Sequence, residues 1–276
     1  MFRLGIDVGG TFTDLVAVDD AGRVTLAKSP STPKDQSIGV IDGLAELARR
    51  LNLDLAGLLA QTERIVHGTT AATNALLERK GAKVGLLTTE GHRDILEMRE
   101  GLKDDRYNLR LPAPEPLVPR NRRLGVKERL RPDGRVEVKL DKASLDRAVK
   151  RLKADGVEAV AVCYLHAYRD AKHERATRDA VAKALPQAYV TLSSDVFPQI
   201  KEYERVSTTV VNAYVGPIVD RYLGNLAKKL VVAGYKGPVF IILSHGGVAP
   251  IAETVRLAAG TVLSGPAGGV SGGRYC

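Results

Sequence analysis

Two aspartates, Asp7 and Asp14, bracket a short turn that contains Gly9, Gly10, Thr11 and Thr13. That arrangement suits phosphate chemistry. Paired glycines leave backbone N–H groups open to close approach by an anion, and hydroxyls at Thr11 and Thr13 add donors. A carboxylate at a strand end, here Asp7, suits Mg²⁺, which prefers oxygen ligands and keeps much of its water. An ordinary Gly-Gly hairpin with a capping aspartate is the alternative. The whole run from Gly5 to Asp14 lies at the very start of the chain and favours the phosphate reading.

A second cluster is His67-Gly68-Thr69-Thr70, with Asn74 one helical turn on. N–H groups at a helix start, with two hydroxyls, suit an oxyanion or a phosphate. His67 suits acid–base work or the orientation of a carbonyl. On the residues alone, a strand-capping His67 and a helix-capping Thr69 or Thr70 explain the pattern equally well. Glu202, Glu204 and Arg205 read as an ion-paired helix start, with Arg205 or Glu202 lining a cleft as the alternative. His166, Asp170, His173 and Glu174 have spacing that metal ligands use, but nothing else supports a site, and they read as a solvated first helical turn. His92, Arg93 and Asp94 read as surface.

The elements that must position these residues alternate between strand and helix, which predicts an α/β layered fold. Strands are expected at Leu4 to Val8, Asp14 to Asp19 and Arg23 to Ser29, with a hairpin turn at Asp20-Ala21-Gly22. Asp35 caps a helix whose apolar residues Ile38, Ile41, Ala45, Ala48 and Leu51 recur with a helical period. Arg64 to His67 reads as a strand, Ala71 to Arg79 as a helix, Lys83 to Thr88 as a strand and His92 to Arg99 as a helix. Gly101 to Pro119 holds four prolines and no period, and is expected to be a long loop. Arg122 to Val138 suggests a basic hairpin turning at Pro132-Asp133-Gly134. Asp141 caps a helix stopped by Gly156, and Val157 to Leu165 reads as a buried strand. A helix at Asp170 to Leu185 and a strand at Ala188 to Leu192 follow. Glu204 to Tyr214 and Pro217 to Leu230 are two helices or one kinked at Pro217. Pro238 to Leu243 is a strand and Ala249 to Ala259 a short helix.

Composition sets bounds. The chain has 276 residues, 44% hydrophobic and 26% charged, with no Trp, so its core is built from aliphatic residues suited to a covered parallel sheet. The net charge is +9, but the basic residues are dispersed apart from Arg120 to Arg131 and lack interleaved aromatics, which argues against nucleic-acid binding. Two cysteines, Cys163 and Cys276, allow no disulfide framework and no thiolate-rich metal centre. Cys163 reads as a buried small hydrophobe and Cys276 as a frayed end. The amino terminus has no signal-peptide layout and no apolar run is long enough to span a bilayer, so a cytoplasmic location is expected.

The run Gly5 to Asp14 resembles the first phosphate loop of the actin-like, sugar-kinase-like ATPase superfamily. More narrowly, it resembles that of the hydantoinase A and 5-oxoprolinase family, which includes acetone carboxylase β-type subunits. Three further stretches carry the resemblance: Val66 to Leu77, Phe197 to Arg205 with its continuation to Tyr214, and Ser244 to Val248 followed by Ser264 to Val270. The fold implied is a ribonuclease H-like α/β half with a mixed sheet and flanking helices. A first domain is expected over residues 1–192 and the start of a hydantoinase A domain over 193–276. Ser264 to Val270 resembles the region in which the superfamily's two halves connect.

The resemblance implies an enzyme that uses Mg·ATP to open a cyclic amide or imide by phosphorylating its carbonyl oxygen, after which water attacks the carbon. It assigns Asp7 and Asp14 to Mg²⁺ and phosphate, and Gly9, Gly10, Thr11, Thr13, Gly265 and Gly268 to the nucleotide. His67, Gly68, Thr69, Thr70, Asn74 and Arg205 fall on the substrate side. An oligomer, with a hydantoinase B-like partner subunit, is expected. Two rivals stand beside this: the ATP-activating subunit of a ketone carboxylase, and a truncated, inactive fragment. The family's second phosphate loop and adenosine-binding residues do not occur in this sequence. The chain alone is therefore expected to bind Mg·ATP weakly, to lack ring-opening activity and to self-associate. An iron–sulfur activator is excluded, since two cysteines cannot supply four thiolates.

Overall fold

The computed structural model describes residues 1–32, 34–101, 105 and 107–274; Cys276 and part of the expected 101–119 loop lie outside them. In chain order the elements open with β1 (Phe2–Val8), β2 (Phe12–Asp19), β3 (Val24–Pro30), α1 (Gln36–Arg50), α2 (Leu55–Ala60), β4 (Thr62–Thr69) and α3 (Ala71–Leu77). Next come β5 (Val84–Thr89), α4 (Ile95–Met98), β6 (Arg123–Val126), β7 (Arg129–Leu130), β8 (Val136–Val138), α5 (Lys142–Ala154), β9 (Ala159–Cys163), α6 (Lys172–Ala184), β10 (Tyr189–Leu192) and α7 (Ser193–Val196). The last are α8 (Glu202–Val232), β11 (Val239–Ile242), β12 (Val248–Pro250), α9 (Ile251–Arg256) and α10 (Ser264–Gly273). These elements form two compact units, Met1–Lys80 with Ile218–Cys276, and Gly81–Pro217. That division is spatial, whereas the one expected at Leu192/Ser193 follows motif order.

The first unit is built on a mixed six-stranded sheet of order β12-β11-β4-β1-β2-β3. β1, β2 and β3 form an antiparallel meander, and β4 and β11 run parallel to β1. The period of two along each strand sorts the side chains. Leu4, Ile6 and Val8 are buried on one face of β1, while Arg3 and Asp7 point to the other. The N-cap carboxylate of Asp35 accepts the Ser37 N–H and starts α1, which packs on the buried face. A Cβ on Gly43 would sit 2.4 Å from Leu15 Cδ1, so glycine lets helix and sheet approach closely. The buried stripe of α1 is Val40, Gly43, Leu44, Leu47 and Ala48, not the stripe through Ile38 and Ile41. Its period was legible, but apolar residues on two faces left the inward one open.

The second unit centres on a four-stranded sheet, order β10-β9-β5-β6, in which every pairing is parallel. All residues of β5 and β9 are buried, as strands covered on both faces must be. Leu87, Val160, Val162, Leu145, Leu152 and Val181 form its apolar core with α5 and α6.

Several expected elements change. The 122–138 hairpin splits: β6 joins the parallel sheet, and only β7 and β8 pair across the turn at Gly134, whose φ is +87°. His92 to Arg99 narrows to the single turn α4. Around Pro217 the one-helix alternative is the one found: α8 runs for 31 residues through the proline. Proline removes one N–H donor, yet packed neighbours carry the helix through it. Ser264–Gly273 is helical despite five glycines, which cost helix propensity but permit close packing.

Candidate functional site

Register brings the two turn aspartates together. Asp7 on β1 stands opposite Asp14 on β2, and Gly68 on β4 flanks Asp7 on the other side, all on one face of the sheet. A Cβ on Gly68 would lie 2.9 Å from Asp7 Oδ1, so only glycine leaves room for that carboxylate. Asp14 pairs with Lys28 at 3.0 Å. Asp7 has no hydrogen-bond or ion-pair partner among the described residues. Its carboxyl is held above the usual carboxylate range, first by loss of solvation and second by the charge of Asp14.

The turn is fixed from behind. Gly9 N–H donates to the Phe12 carbonyl at 3.0 Å and Ser31 N–H to the Thr11 carbonyl at 2.9 Å. Ser31 Oγ donates to the Gly9 carbonyl at 2.8 Å and lies 3.1 Å from Thr13 Oγ1. A Cβ on Gly9 would come within 3.2 Å of the Phe12 carbonyl, whereas Gly10 faces open space. Gly10 and Thr11 are exposed. Thr13 is fully buried on the opposite face from Asp14 and braces Ser31, so it offers no hydroxyl to a phosphate.

His67 departs from expectation in the same way. It pairs with Ile6 and Ile241, on the face turned away from Asp7, and is completely buried. Parallel neighbours end side by side, but one residue of offset sends a side chain through the sheet. Its Nε2 shares a 2.7 Å hydrogen bond with Tyr222 Oη of α8. Burial lowers its pKa to about 4, against a weaker upward pull from the Ile6 backbone, so the ring is neutral near pH 7. Thr69 is also buried and its Oγ1 accepts the Ala71 N–H at 3.2 Å. Thr70 Oγ1 donates to the Val8 carbonyl and receives Asn74 Nδ2, both at 3.2 Å.

Gly265 and Gly268 lie in α10, on the Asp7 side of the sheet. A Cβ on Gly268 would meet Ile242 Cδ1 at 3.4 Å, and Ser264 Oγ donates to the Thr69 carbonyl at 3.2 Å. Arg205, in the second unit, is buried. Its Nη1 donates to the Tyr164 carbonyl at 2.7 Å and to Ser193 Oγ at 3.0 Å, a structural bond set that replaces the expected cleft position. His173 and Glu174 are buried rather than solvated, and His92 accepts a 2.9 Å contact from Arg129 Nη1. No group of three or more metal-ligating side chains occurs among the described residues. Cys163 is buried, with its thiol pushed up to about 12.

One feature of the first unit was marked in the sequence only at Gly10 and Asn74. A cavity of about 500 Å³ opens beside Gly10, lined by Asn74 of α3, Gln36 of α1, Arg221, Tyr222 and Asn225 of α8, and Lys34. Arg221 and Asn225 are four apart on a helix whose apolar residues show no dominant stripe, so nothing in their spacing marks them.

The strand order, with three antiparallel strands followed by parallel β4 and β11, defines a ribonuclease H-like α/β fold of the actin-like ATPase class. The sequence matches the hydantoinase/oxoprolinase N-terminal region over residues 3–185 and the hydantoinase/oxoprolinase region over 205–276. The chain belongs to the hydantoinase/oxoprolinase family. Caprolactamase subunit alpha of Pseudomonas jessenii is 41% identical over 268 residues, 96% of this chain and 38% of the relative. The crystal structure of ATP-dependent caprolactamase from that organism superposes with a TM-score of 0.87, covering 96% of this chain and 39% of that one. The nucleotide-free structure of acetone carboxylase, from work on ATP-dependent acetone carboxylation, gives a TM-score of 0.91 at 30% identity, with 99% and 40% covered. The 5-oxoprolinase of Saccharomyces cerevisiae is 30% identical over 308 residues, 98% of this chain and 23% of the relative. The chain thus spans about two fifths or less of the length of these relatives. No helix among the described residues is long and apolar enough to cross a membrane.

Proposed function

We propose that this chain supplies the phosphate- and magnesium-binding part of an ATP-dependent enzyme that opens a cyclic amide. The observation that carries the reading is the pair of carboxylates, Asp7 and Asp14, held opposite one another beside an open glycine turn. Two like charges placed this way are unfavourable, and Lys28 offsets only Asp14. Asp7 lacks a partner and has its carboxyl raised, which suits a hard divalent ion. When bound, Mg²⁺ would neutralise phosphate charge at that edge.

Gly10 and Thr11 present N–H and hydroxyl donors to the phosphates, and the braces from Ser31 and Thr13 fix the turn so that no reorganisation is needed on binding. An unactivated amide carbonyl is a poor electrophile. Transfer of the terminal phosphoryl group to the amide oxygen forms one P–O bond and breaks another, releasing ADP. Water then adds to the carbon and the C–N bond breaks, the amine taking a proton and leaving an acyl phosphate; a second water cleaves that acyl phosphate to the carboxylate and phosphate. Such transfer rests on positioning and charge stabilisation. His67 is assigned a positioning role: with Tyr222 it holds β4, and so Gly68, against α8.

Relatives named as subunits support a partner chain, which we take to be of hydantoinase B type. The test is Mg·ATP-dependent phosphate release by the enzyme with Asp7→Asn. A fall of about 10²-fold or more is expected for loss of a group that stabilises transferring phosphate, and an unchanged rate overturns the reading. ATP-dependent ketone carboxylation is the second reading, favoured by the acetone carboxylase superposition. Assay with a ketone and bicarbonate in place of a cyclic amide separates the two.

A further inference from the structure

The sheet of the second unit is wholly parallel, and ligands of such sheets bind beyond the carboxyl ends of the strands. Four half-buried groups that the phosphate turn does not use gather at that end. His92 follows β5, Arg129 lies in β7 just past β6, His166 follows β9, and Glu202 opens α8. The charges of Arg129, Glu202 and the buried Glu128 act on both imidazoles, and that of Arg205 on His166, so the four groups share one cluster. Backbone strain falls in the same place. His166 has a left-handed φ of +58°, and Lys201, directly before Glu202, one of +85°. Burial is the first cause that holds both imidazoles below 6.5, so both rings are neutral near pH 7. Arginine only donates, so His92 Nε2, 2.9 Å from Arg129 Nη1, is the bare nitrogen and accepts. That bond aims the guanidinium and leaves its other N–H groups free. Neither Arg129 nor Glu202 has an ion-pair partner among the described residues, and they do not pair with each other. An acid and a base that share a half-buried cluster without meeting lose solvation and gain nothing from one another. Glu202 disfavours a plain anion there and Arg129 a plain cation. A ligand that carries both signs satisfies both.

We propose that the second unit holds a binding site for a small zwitterion, with Arg129 taking its carboxylate and Glu202 its ammonium group. The planar guanidinium fork suits a carboxylate, and the neutral imidazoles of His92 and His166 add polar contacts without changing the balance of charge. Both charged groups stand on regular elements: Arg129 pairs with Val138 in the β7–β8 ladder, and Glu202 begins α8. The ligand class follows from these side chains and not from the phosphate turn. Opening a cyclic amide makes a chain with an amine and a carboxylate, so under the proposed activity, on which this sentence alone rests, the site takes molecules of the product's class.

Calorimetric titration of the purified protein without nucleotide tests it, using ω-amino acids from glycine to 6-aminohexanoate as probes. Each is compared with the carboxylic acid and the amine of the same carbon count, which carry one charge only. At least one amino acid is expected to bind about tenfold or more tightly than both of its one-charge analogues, and the preferred length measures the span between Arg129 and Glu202. Glu202→Gln should bring that amino acid down to the affinity of the acid, and Arg129→Gln down to that of the amine. Arg129→Lys, which keeps the charge, should retain the preference. A purely structural role would weaken all probes alike. Glu202 makes no hydrogen bond or ion pair among the described residues, so its neutral variant tests the site even where Arg129→Gln disturbs β7. No preference for a zwitterion at any length, or variants that lower acid, amine and amino acid together, overturns the proposal. So does loss of the preference in Asp7→Asn, which would move the zwitterion to the phosphate turn. Binding is read without nucleotide and phosphate release with it, so this site and the ring-opening reading fail or stand separately.

Discussion

Each unit holds a pair of carboxylates where its strands end, and the pairs are treated in opposite ways. In the second unit Glu128 and Glu174 are buried and every oxygen is used. Glu174 accepts from Tyr164 N at 2.9 Å, Ser193 Oγ at 2.6 Å and Ser194 N at 2.9 Å. Glu128 lies 2.7 Å from His173 Nδ1 and accepts from Thr89, whose Oγ1 takes the Leu165 N–H at 2.9 Å. These bonds tie β5, β9, β10 and α6 together. In the first unit Asp7 and Asp14 face solvent, repel one another and leave Asp7 without a partner. Saturated carboxylates hold a fold; unsaturated ones on an open edge are available to a ligand. The contrast separates structural from functional acid groups where both lie in polar clusters.

The largest effect expected from this contrast is on stability in the second unit. Glu174→Ala strips three donors of their acceptor and should cost about 3–5 kcal/mol, read as a shift of the urea midpoint. A shift under about 1 kcal/mol would mean that the bonds are not what holds α6 to the sheet. Asp7→Asn should do the reverse. Stability should stay level or rise by about 0.5 kcal/mol as the repulsion from Asp14 is removed, while phosphate release falls. A loss of stability comparable to that of Glu174→Ala would dissolve the comparison.

pH sharpens it next. His67 is depressed to about 4 from 6.5, so between those values the unfolded chain binds more protons than the folded one. Its contribution is complete above pH 6.5 and is lost as pH falls towards 4, with a slope of at most about 1.4 kcal/mol per pH unit. His67→Gln should flatten that part of the stability–pH curve, and an unchanged curve would show the ring to be accessible to protons. Asp7 has the opposite sign. Its pKa is raised above 3.8, so its contribution declines as pH rises through that region, and Asp7→Asn should remove that decline. A modest effect is expected at the brace between β4 and α8: Tyr222→Phe removes the bond to His67 and should cost about 1 kcal/mol.

Much of this molecule is dictated locally. The antiparallel start, the glycine turn between Asp7 and Asp14, the Asp35 and Asp141 caps and the buried runs of β5 and β9 follow from periodicity and capping chemistry, which act within a few residues. The family resemblance implied the mixed sheet with flanking helices, and the strand order came from the structure. Tertiary structure alone decided which face each residue serves. His67 and Thr13 belong to chemically suggestive runs, yet their register places them in the core, because a shift of one residue along a strand reverses its side. Helix α1 has apolar residues on more than one face, so only contact with Leu15 selects Gly43 and Leu44 as inward. Arg205 became a buried brace because the ends of β9 and β10 needed a donor. Lys34, Gln36, Arg221 and Asn225 are scattered over nearly two hundred positions, and no local rule can gather them: a cavity is a property of packing, which the spacing of residues along the chain does not encode.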